Sequence, residues 1–351
     1  MPVLDGWLVT GYGLAQQVMR DAAAFTVDDP RFSTATVVGP SMLSLDGAEH
    51  TRHREPFVPP FRPAPVRDRY AALVAKSTSR LIDSLLPAGH AELRSDFAGP
   101  LALSVLADAL GLTGVDGRAV RRWYAALVES VSTVTAGGEP TEAGATAFRE
   151  LGESVTRTIA DRSSDSLLVD VVHEYGLATE EAVANAAVLM FGGIDTTESM
   201  IANLVLHLLS NPRALAELRA DRGLLPNAIE ESMRLEPAAS VVDRYATHDI
   251  SLAGAEIKAG DLVRVSIAGA NRDPAIFPNP DDFDIHRANA RTNLAFALGP
   301  HFCLGARLAR MEAEVAVTAL LDHMPRLRLA GVATPTGLVF RKPEELPVRW
   351  D

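Results

Sequence analysis

Cys303 is the only cysteine of the chain, and it stands between a loop that contains glycine and an apolar stretch with helical spacing. Unpaired N–H groups and the positive end of the helix dipole stabilise a thiolate at such a position. Gly299 and Gly305 leave both flanks of the thiol without side chains, as a flat group packed there would require. Pro300 stiffens the approach. These residues predict a thiolate that binds the metal of a large planar cofactor; the alternative is an inert, small apolar side chain.

A second candidate site lies inside the longest helical stretch, 180–209, where Gly192 and Gly193 precede Asp195 and Thr196. Two glycines cost about 1 kcal/mol each relative to alanine in a helix interior. The carboxylate that follows falls in the most apolar part of the chain, where an unpartnered charge is unfavourable. One interpretation is a bent helix whose backbone a ligand can approach, beside an acid and a hydroxyl. The alternative is close helix packing through glycine, with Asp195 facing solvent.

The loop and the helix together resemble the cytochrome P450 family of haem-thiolate monooxygenases. Five ordered motifs carry the resemblance. Three are the cysteine loop FxxGxxxCxG at Phe296, Gly299, Cys303 and Gly305, the ExxR helix motif at Glu231 and Arg234 with Arg287 as its third partner, and the distal-helix groove at 192–197. The other two are the stretch 50–54, which resembles the family's propionate-contacting helix, and the further propionate positions at Arg244 and His301. The resemblance extends from about residue 7 to residue 350. Ala297 departs from it, since many members have glycine there. Members are usually longer, and the shortfall, before Trp7 and within 25–43 and 112–180, leads us to expect altered geometry at the substrate entrance.

The resemblance implies a role for each matching residue. Cys303 is expected to be the axial ligand of the iron of haem b (iron protoporphyrin IX), which the loop residues Phe296, Gly299 and Gly305 would also contact. The haem propionates are expected to bind His50, Arg54, Arg244 and His301. Asp195 would relay protons from the surface, and the Thr196 hydroxyl would steady a water molecule. Glu231, Arg234 and Arg287 are expected to form a buried ion-pair network that holds the cysteine loop, a structural role.

The resemblance also implies a substrate pocket of mostly small, apolar side chains. Its expected lining residues are Val188, Phe191 and Gly192 on the distal helix, Ala239, Ser240 and Val242 after the ExxR motif, and Val339 and Phe340 in a late loop. We therefore expect hydroxylation or epoxidation, with O2, of a small, largely apolar molecule in secondary metabolism or catabolism. Alternatives on the same haem are desaturation, oxidative coupling and peroxide-driven oxidation. An alternative of a different class is a non-catalytic thiolate-haem sensor or carrier, which would have no use for a proton relay.

The elements that must position these residues are mostly helical. Helical spacing of apolar residues predicts helices over 70–85, 101–110, 119–134, 145–160 and 180–209. We expect Thr179 to cap the last of them and Asn211 to end it. A further helix should follow Cys303, with an apolar stripe at Leu304, Leu308, Met311, Val315 and Ala319.

The strand signals are short and lie mainly in 240–270 and 326–350. The predicted class is mainly α with a small β region, and the resemblance implies the cytochrome P450 fold, with the haem between a long distal helix and a proximal cysteine loop. The length of 351 residues allows one or two domains. We expect a single domain over 1–351, because the residues that would hold one cofactor are spread from His50 to Cys303.

Charge and composition exclude several classes of protein. The formal net charge of −12 argues against a nucleic-acid or anionic-membrane partner. No apolar run reaches the ~18 residues of a membrane span, the chain opens without a signal-peptide pattern, and one cysteine cannot form an internal disulfide, so we expect a cytoplasmic protein.

The source of electrons must lie outside the chain. Nicotinamide, flavin and iron–sulfur motifs are all missing from the sequence, and one cysteine cannot ligate a cluster. We expect a ferredoxin with its ferredoxin reductase as donor. An acidic ferredoxin would need a local basic surface on this acidic protein, for which the candidates are Arg52, Arg62, Arg307 and Arg310.

Overall fold

The computed structural model describes residues 6–112, 115–161 and 166–351. The opening, for which the sequence predicts no signal peptide, lies partly outside the described residues, at 1–5. The chain divides into two compact units, the first made of residues up to Phe25, Arg67–Ala102 and Asp195–Asp351, the second of Thr26–Val66 and Leu103–Ile194. Long helices dominate and strands are short, so the predicted mainly α class with a small β region is confirmed.

The helices are α1 (Tyr12–Arg20), α2 (Ser33–Val38), α3 (Gly47–Arg54), α4 (Pro63–Pro65), α5 (Ala71–Leu85), α6 (Gly99–Ala109), α7 (Gly117–Thr135), α8 (Glu142–Ala160), α9 (Leu167–His173), α10 (Thr179–Ser210), α11 (Pro212–Ala220), α12 (Leu225–Leu235), α13 (Ile267–Ala270) and α14 (Ala306–His323). The strands are β1 (Gly6–Val9), β2 (Phe25–Thr26), β3 (His90–Glu92), β4 (Val241–Ala246), β5 (Ile250–Leu252), β6 (Ala255–Ile257), β7 (Leu262–Ser266), β8 (Arg328–Leu329), β9 (Pro335–Thr336), β10 (Lys342–Pro343) and β11 (Pro347–Arg349). Short 3-10 and π-helical turns lie between them.

The first unit contains a four-stranded sheet in the order β1-β7-β4-β2. Strand β7 pairs in parallel with β1 and antiparallel with β4. One face is covered by α1, whose Val18 and Met19 belong to the same buried cluster as Val263 and Val265 of β7. Burial of these side chains, each exposed by no more than 1%, fixes α1 against β7, and pairing with β7 fixes β4.

Helix α14 packs against both α5 and α12 in the first unit. Its buried residues are Ala306, Leu308, Glu312, Ala313, Ala316, Val317, Leu320 and Leu321. The predicted stripe is therefore wrong beyond Leu308: Leu304 precedes the helix, and Met311, Val315 and Ala319 are only partly buried. The reason is that two helices cover α14, so its apolar face is wider than a single stripe and rotated from it.

The second unit is built around α7 and α8. Each helix has the N-terminal cap that favours it, since an Asp116 oxygen accepts from the Arg118 N–H at 3.0 Å and the Thr141 hydroxyl accepts from the Gly144 N–H at 3.0 Å. Gly144 allows the two helices to approach, because a Cβ there would lie 2.5 Å from the Ser130 Cβ. These caps explain why both helices begin two or three residues before the predicted starts.

Helix α10 runs without interruption through the two glycines and passes from the second unit into the first between Ile194 and Asp195. It begins at Thr179, so Thr179 is its first helical residue and the predicted cap is wrong; the Ala178 N–H instead donates to Glu181 Oε2 at 3.0 Å. Its end at Ser210, before Asn211, is as predicted. Over the ranges that the structure describes, every helix is too short or too polar to cross a membrane.

Candidate active site

The loop before α14 is closed by the Cys303 N–H, which donates to the Phe296 carbonyl at 2.9 Å. Within this loop Ala297 and Gly299 have positive φ angles of 55° and 72°. The left-handed conformation suits glycine and costs an alanine about 1–2 kcal/mol. Ala297 therefore occupies, with strain, a position where the resembling family often has glycine. The loop ends in a partly buried Cys303 three residues before α14 begins.

The two glycines around the thiol have different roles. A Cβ on Gly299 would lie 2.5 Å from the Met19 carbonyl oxygen and 3.0 Å from the Arg20 Cα, so packing against α1 requires its small size. The contact with α1 occupies the side on which a Cβ would lie and by itself requires glycine at this position, so the expectation that Gly299 also contacts a flat group stays a prediction. A Cβ on Gly305 would have no described atom within 4 Å. Only Gly305 leaves the open space that a planar cofactor would need.

Glu231, Arg234 and Arg287 form a buried ion-pair network in the first unit. Arg234 Nε donates to Glu231 Oε2 at 2.7 Å, and Arg287 Nε donates to Glu231 Oε1 at 2.9 Å. The remaining guanidinium N–H groups donate to the backbone carbonyls of Asn271, Pro278, Asn279, Pro280 and Asp282. Because one carboxylate faces two cations, these carbonyls must compensate the extra positive charge. The network connects α12 to the segment 271–287 that leads to the cysteine loop.

Arg310 also ties the cysteine loop to α12. Its Nε donates to Glu230 Oε1 at 2.6 Å, and its guanidinium lies 4.4 Å from the centre of the Phe296 ring. Arg310 therefore stabilises the loop by an ion pair and a cation–π contact. Arg52, on α3, is likewise neutralised by Glu49 at 2.8 Å and Glu181 at 2.5 Å. Neither arginine offers the uncompensated charge that was expected of a ferredoxin contact.

Helix α3, which carries His50 and Arg54 four residues apart and so on one helix face, is fixed to α10 inside the second unit. Asn185 Nδ2 lies 3.1 Å from Nδ1 of the buried His53. Burial lowers the pKa of His53, and the hydrogen bond from Arg52 lowers the pKa of Glu181 to about 2. His53 and Asn185 were not predicted as functional residues from the sequence. No local pattern reveals them, since their contact joins residues 132 positions apart.

Asp195 is buried, with 5% of its surface exposed, so the alternative in which it faces solvent is wrong. Its carboxylate contacts Lys342 Nζ, which also lies 3.0 Å from Glu198 Oε1. Glu198 in turn accepts from Arg94 Nε at 2.6 Å. Arg94, Glu198 and Lys342 were not predicted as functional residues from the sequence. One signal was available: the chain has only three lysines, and Glu198 follows Asp195 by one helical turn.

Four of the expected pocket residues come together in the first unit. The Ser240 N–H donates to the Val339 carbonyl at 2.8 Å, and Ala239 pairs with Phe340 in an isolated β-bridge. Val242 follows in β4. In the second unit Val188 is buried, Phe191 is partly buried and Gly192 is exposed. A Cβ on Gly192 would meet no described atom within 4 Å, whereas one on Gly193 would lie 3.3 Å from Leu106. Gly193 thus serves helix packing and Gly192 leaves an open backbone.

The side chains at the expected cofactor positions, a thiol with arginines and histidines, fit a haem. A partly buried thiol beside an open glycine suits a soft iron centre. Arg244 is buried in β4 with 4% exposure, and Nη1 donates to the Asp243 carbonyl at 2.7 Å. His301 lies in the 3-10 turn Gly299–His301, while His50 is buried on α3 and Arg54 is partly buried there. Arginine and histidine side chains that are buried or partly buried can supply the charge and the hydrogen bonds that the anionic propionates of a haem require.

Comparison with known proteins gives the same family from sequence and from structure. The sequence pattern of the family Cytochrome P450 matches residues 150–325. The chain is 37% identical to the cytochrome P450 monooxygenase PikC of Streptomyces venezuelae, over 98% of this chain and 85% of that relative. It is 33% identical to the mycinamicin IV hydroxylase/epoxidase of Micromonospora griseorubida, over 99% and 90%. The crystal structure of P450BioI with a fatty-acid-loaded acyl carrier protein superposes with a TM-score of 0.88 at 32% identity, covering 99% of this chain and 92% of that one.

Proposed function

Because the chain belongs to the cytochrome P450 family and is therefore a haem-dependent monooxygenase, we propose that it hydroxylates or epoxidises a small, largely apolar secondary metabolite. The observation that carries the proposal is the buried carboxylate of Asp195 next to Thr196 on α10. Burial of a carboxylate costs free energy, and a protein that only bound a ligand at its haem would gain nothing from a carboxylate there.

The residues that would hold the cofactor are the thiol, arginines and histidines at the expected cofactor positions. Cys303 Sγ would ligate the iron of haem b, and Arg244, His301, His50 and Arg54 would pair with the propionates. When bound, the haem supplies the reductive activation of dioxygen, with the thiolate as a strong electron donor. The overall reaction takes the substrate, O2, two electrons and two protons to oxygenated product and water. Glu231, Arg234 and Arg287 act only by holding the loop in place.

Protons are the part of this reaction that the chain itself supplies. The Asp195 carboxyl would pass a proton toward the Thr196 hydroxyl or a water molecule that the hydroxyl holds, and then recover one from the solvent side. The partial exposure of Lys342 and Arg94, at 18% and 22% of their side chains, gives solvent a route to the buried carboxylates. Thr196 follows Asp195 on the same helix. Consecutive helical side chains point about 100° apart, so a water molecule between the carboxyl and the hydroxyl would carry the proton.

Electrons would come from a ferredoxin that docks near the cysteine loop. Arg20 lies against Gly299, and Arg307 follows Cys303 by four residues. Both are exposed, and neither forms an ion pair with any described residue. Arg20→Glu and Arg307→Glu should slow reduction by ferredoxin at low salt, with the difference fading at high salt. Arg219→Glu, at an exposed arginine on α11, is the control; equal rates in all variants would contradict this docking site.

The test of the function is substrate-dependent oxygen consumption with a surrogate ferredoxin and its reductase. A hydroxylase or epoxidase forms a product heavier by one oxygen atom. Asp195→Asn should slow oxygen consumption at least about tenfold, and Thr196→Ala should divert oxygen to hydrogen peroxide. A product that has lost two hydrogens would instead establish desaturation or coupling. A ligand that binds but never raises oxygen consumption would establish the sensor or carrier.

A further inference from the structure

A buried network of charged side chains joins α10 to the hairpin formed by the antiparallel strands β9 and β10, in the first unit. Lys342 Nζ contacts Asp195 and lies 3.0 Å from Glu198 Oε1. Asp195 and Glu198 are 5% and 9% exposed, so both carboxylates are almost fully removed from water. Two buried carboxylates therefore share the positive charge of one lysine.

Arg94 fixes the other side of this network. Its Nε donates to Glu198 Oε1 at 2.6 Å, and its Nη1 donates to the carbonyls of Pro343, at 2.9 Å, and Glu344. Glu198 thus accepts from two cations, whereas the only cation paired with Asp195 among the described residues is Lys342. Because Arg94 holds both Glu198 and the backbone next to Lys342, the ammonium stays in place if Asp195 turns away.

The hairpin connects Lys342 to the expected substrate pocket. Lys342 begins β10 two residues after Phe340. Between them, Arg341 is held on both sides: its carbonyl accepts from Asn203 Nδ2 of α10 at 2.9 Å, and its Nε donates to Glu236 Oε1 at 2.5 Å. The position of the ammonium is therefore set by a segment that also carries the pocket residues.

We propose that Lys342 is a positioning residue for proton delivery, which restrains Asp195 while Glu198 competes for the same ammonium. An ammonium has three donors on a flexible stem, so it can keep Glu198 while Asp195 rotates toward Thr196. Because Glu198 also binds the Lys342 ammonium, the ion pair between Lys342 and Asp195 is weaker and Asp195 can rotate. The inference rests on the proposed function, since it assigns a control over the carboxylate that function uses.

Two substitutions should change two different quantities, the share of oxygen released as hydrogen peroxide and the rate of oxygen consumption. Lys342→Met removes the restraint, so oxygen consumption should stay within about twofold of the wild type. The share of oxygen released as hydrogen peroxide should rise at least about threefold, because O2 then takes up two electrons and two protons without reaching substrate. Glu198→Gln removes the competitor, so Asp195 should be held more tightly. Oxygen consumption should then fall at least about threefold, with a larger solvent isotope effect and an unchanged peroxide share.

Two further variants serve as rescue and control. Lys342→Arg keeps the charge and should restore most of the coupling between oxygen consumption and product. Lys258→Met removes a lysine whose ion pair with Asp249, at 2.9 Å, has both side chains more than 60% exposed, and it should change nothing. Thermal unfolding gives a readout independent of turnover. The loss of Tm in Lys342→Met/Glu198→Gln should be smaller than the sum of the single losses, because the two groups interact directly.

The proposed role of Lys342 would be overturned if Lys342→Met left the peroxide share unchanged, if Glu198→Gln did not slow oxygen consumption, or if the losses of Tm were additive. The wild-type protein distinguishes this failure from that of the proposed function. If the wild type shows substrate-dependent oxygen consumption while the variants give one of these results, only the inference about Lys342 falls. If the wild type consumes no oxygen with any substrate that binds, the proposed function falls, and this inference with it.

Discussion

Replacement of Glu231 by glutamine should destabilise the protein more than any other single isosteric change in the ion-pair network. Glu231 is 0% exposed and accepts from Arg234 at 2.7 and 2.9 Å and from Arg287 at 2.9 and 3.0 Å. The Glu231→Gln variant leaves two guanidinium groups that face each other without a counter-charge. Arg287→Met, by contrast, leaves the Glu231–Arg234 pair intact.

The size of the effect follows from burial. Breaking a buried ion pair by removing one partner costs about 3–5 kcal/mol. Unfolding entropy near 2.1 cal/mol/K per residue gives about 0.7 kcal/mol/K for the 351 residues of this chain. Glu231→Gln should therefore lower the Tm by about 4–7 °C, and Arg287→Met by less. Because the network holds the segment before the cysteine loop, haem content should fall as well.

The assay is calorimetric or spectroscopic unfolding of the haem-loaded protein, with haem content measured in parallel. Glu217→Gln is the matched control, because Glu217 also accepts from two cationic side chains, Arg213 at 2.9 Å and His286 at 2.8 Å. These side chains are 93% and 56% exposed. Water screens such a pair, so the Tm of the control should stay within about 1 °C of the wild type.

A Glu231→Gln variant that matched Glu217→Gln in Tm and retained its haem would refute this reasoning. The double variant Glu231→Gln/Arg287→Met gives a second test, of whether the three side chains act together. Removal of one surplus cation should make the double variant no less stable than Glu231→Gln alone. Strictly additive losses would mean that the three side chains do not act as a network.

Three further predictions rest on single residues. Ala297→Gly should raise the free energy of unfolding by up to about 1 kcal/mol in denaturant titrations, because glycine relieves the positive φ of 55°; a loss would contradict the strain. Gly305→Ala should lower haem retention at least about twofold, since its methyl group enters the open space beside Cys303, while haem-independent fluorescence should show normal folding. Burial lowers the pKa of His207 to about 4, below the value of about 6.5 in the unfolded chain, so its stabilising contribution is present above pH 6.5 and is lost as the pH falls toward 4. His207→Asn should remove that part of the pH dependence of Tm between pH 6.5 and 4, and identical profiles would contradict it.

The features that could be predicted from the sequence are those that local spacing specifies. The length of α10, its end before Asn211 and the helix after Cys303 follow from periodic apolar residues and a terminating Asn-Pro. The cysteine loop, the Glu231–Arg234 pair and the distal-helix groove could be read because the residues within each lie a few positions apart, whereas Arg287 contacts Glu231 across 56 positions. The predicted cap at Thr179 is wrong for a local reason: Glu181, in the first turn, accepts from the Ala178 N–H.

The features that could not be predicted depend on contacts between distant parts of the chain. Position 299 requires glycine because the backbone of α1, about 280 residues earlier, packs against it. Lys342 meets Asp195 across 147 positions. Arg310, expected to contact a ferredoxin, is bound by Glu230 across 80 positions. In each case residue type was known, but the partner that decides its role is set by tertiary packing.

Ligation of the haem iron by the Cys303 thiolate, which we propose, can be tested in a single absorption spectrum. The absorption spectrum of the reduced protein with carbon monoxide should show the strongly red-shifted Soret band of a thiolate-ligated haem. Cys303→Ser should lose that band while it still binds haem. A red-shifted band that persists in Cys303→Ser, or its absence from the haem-loaded wild type, would contradict the account.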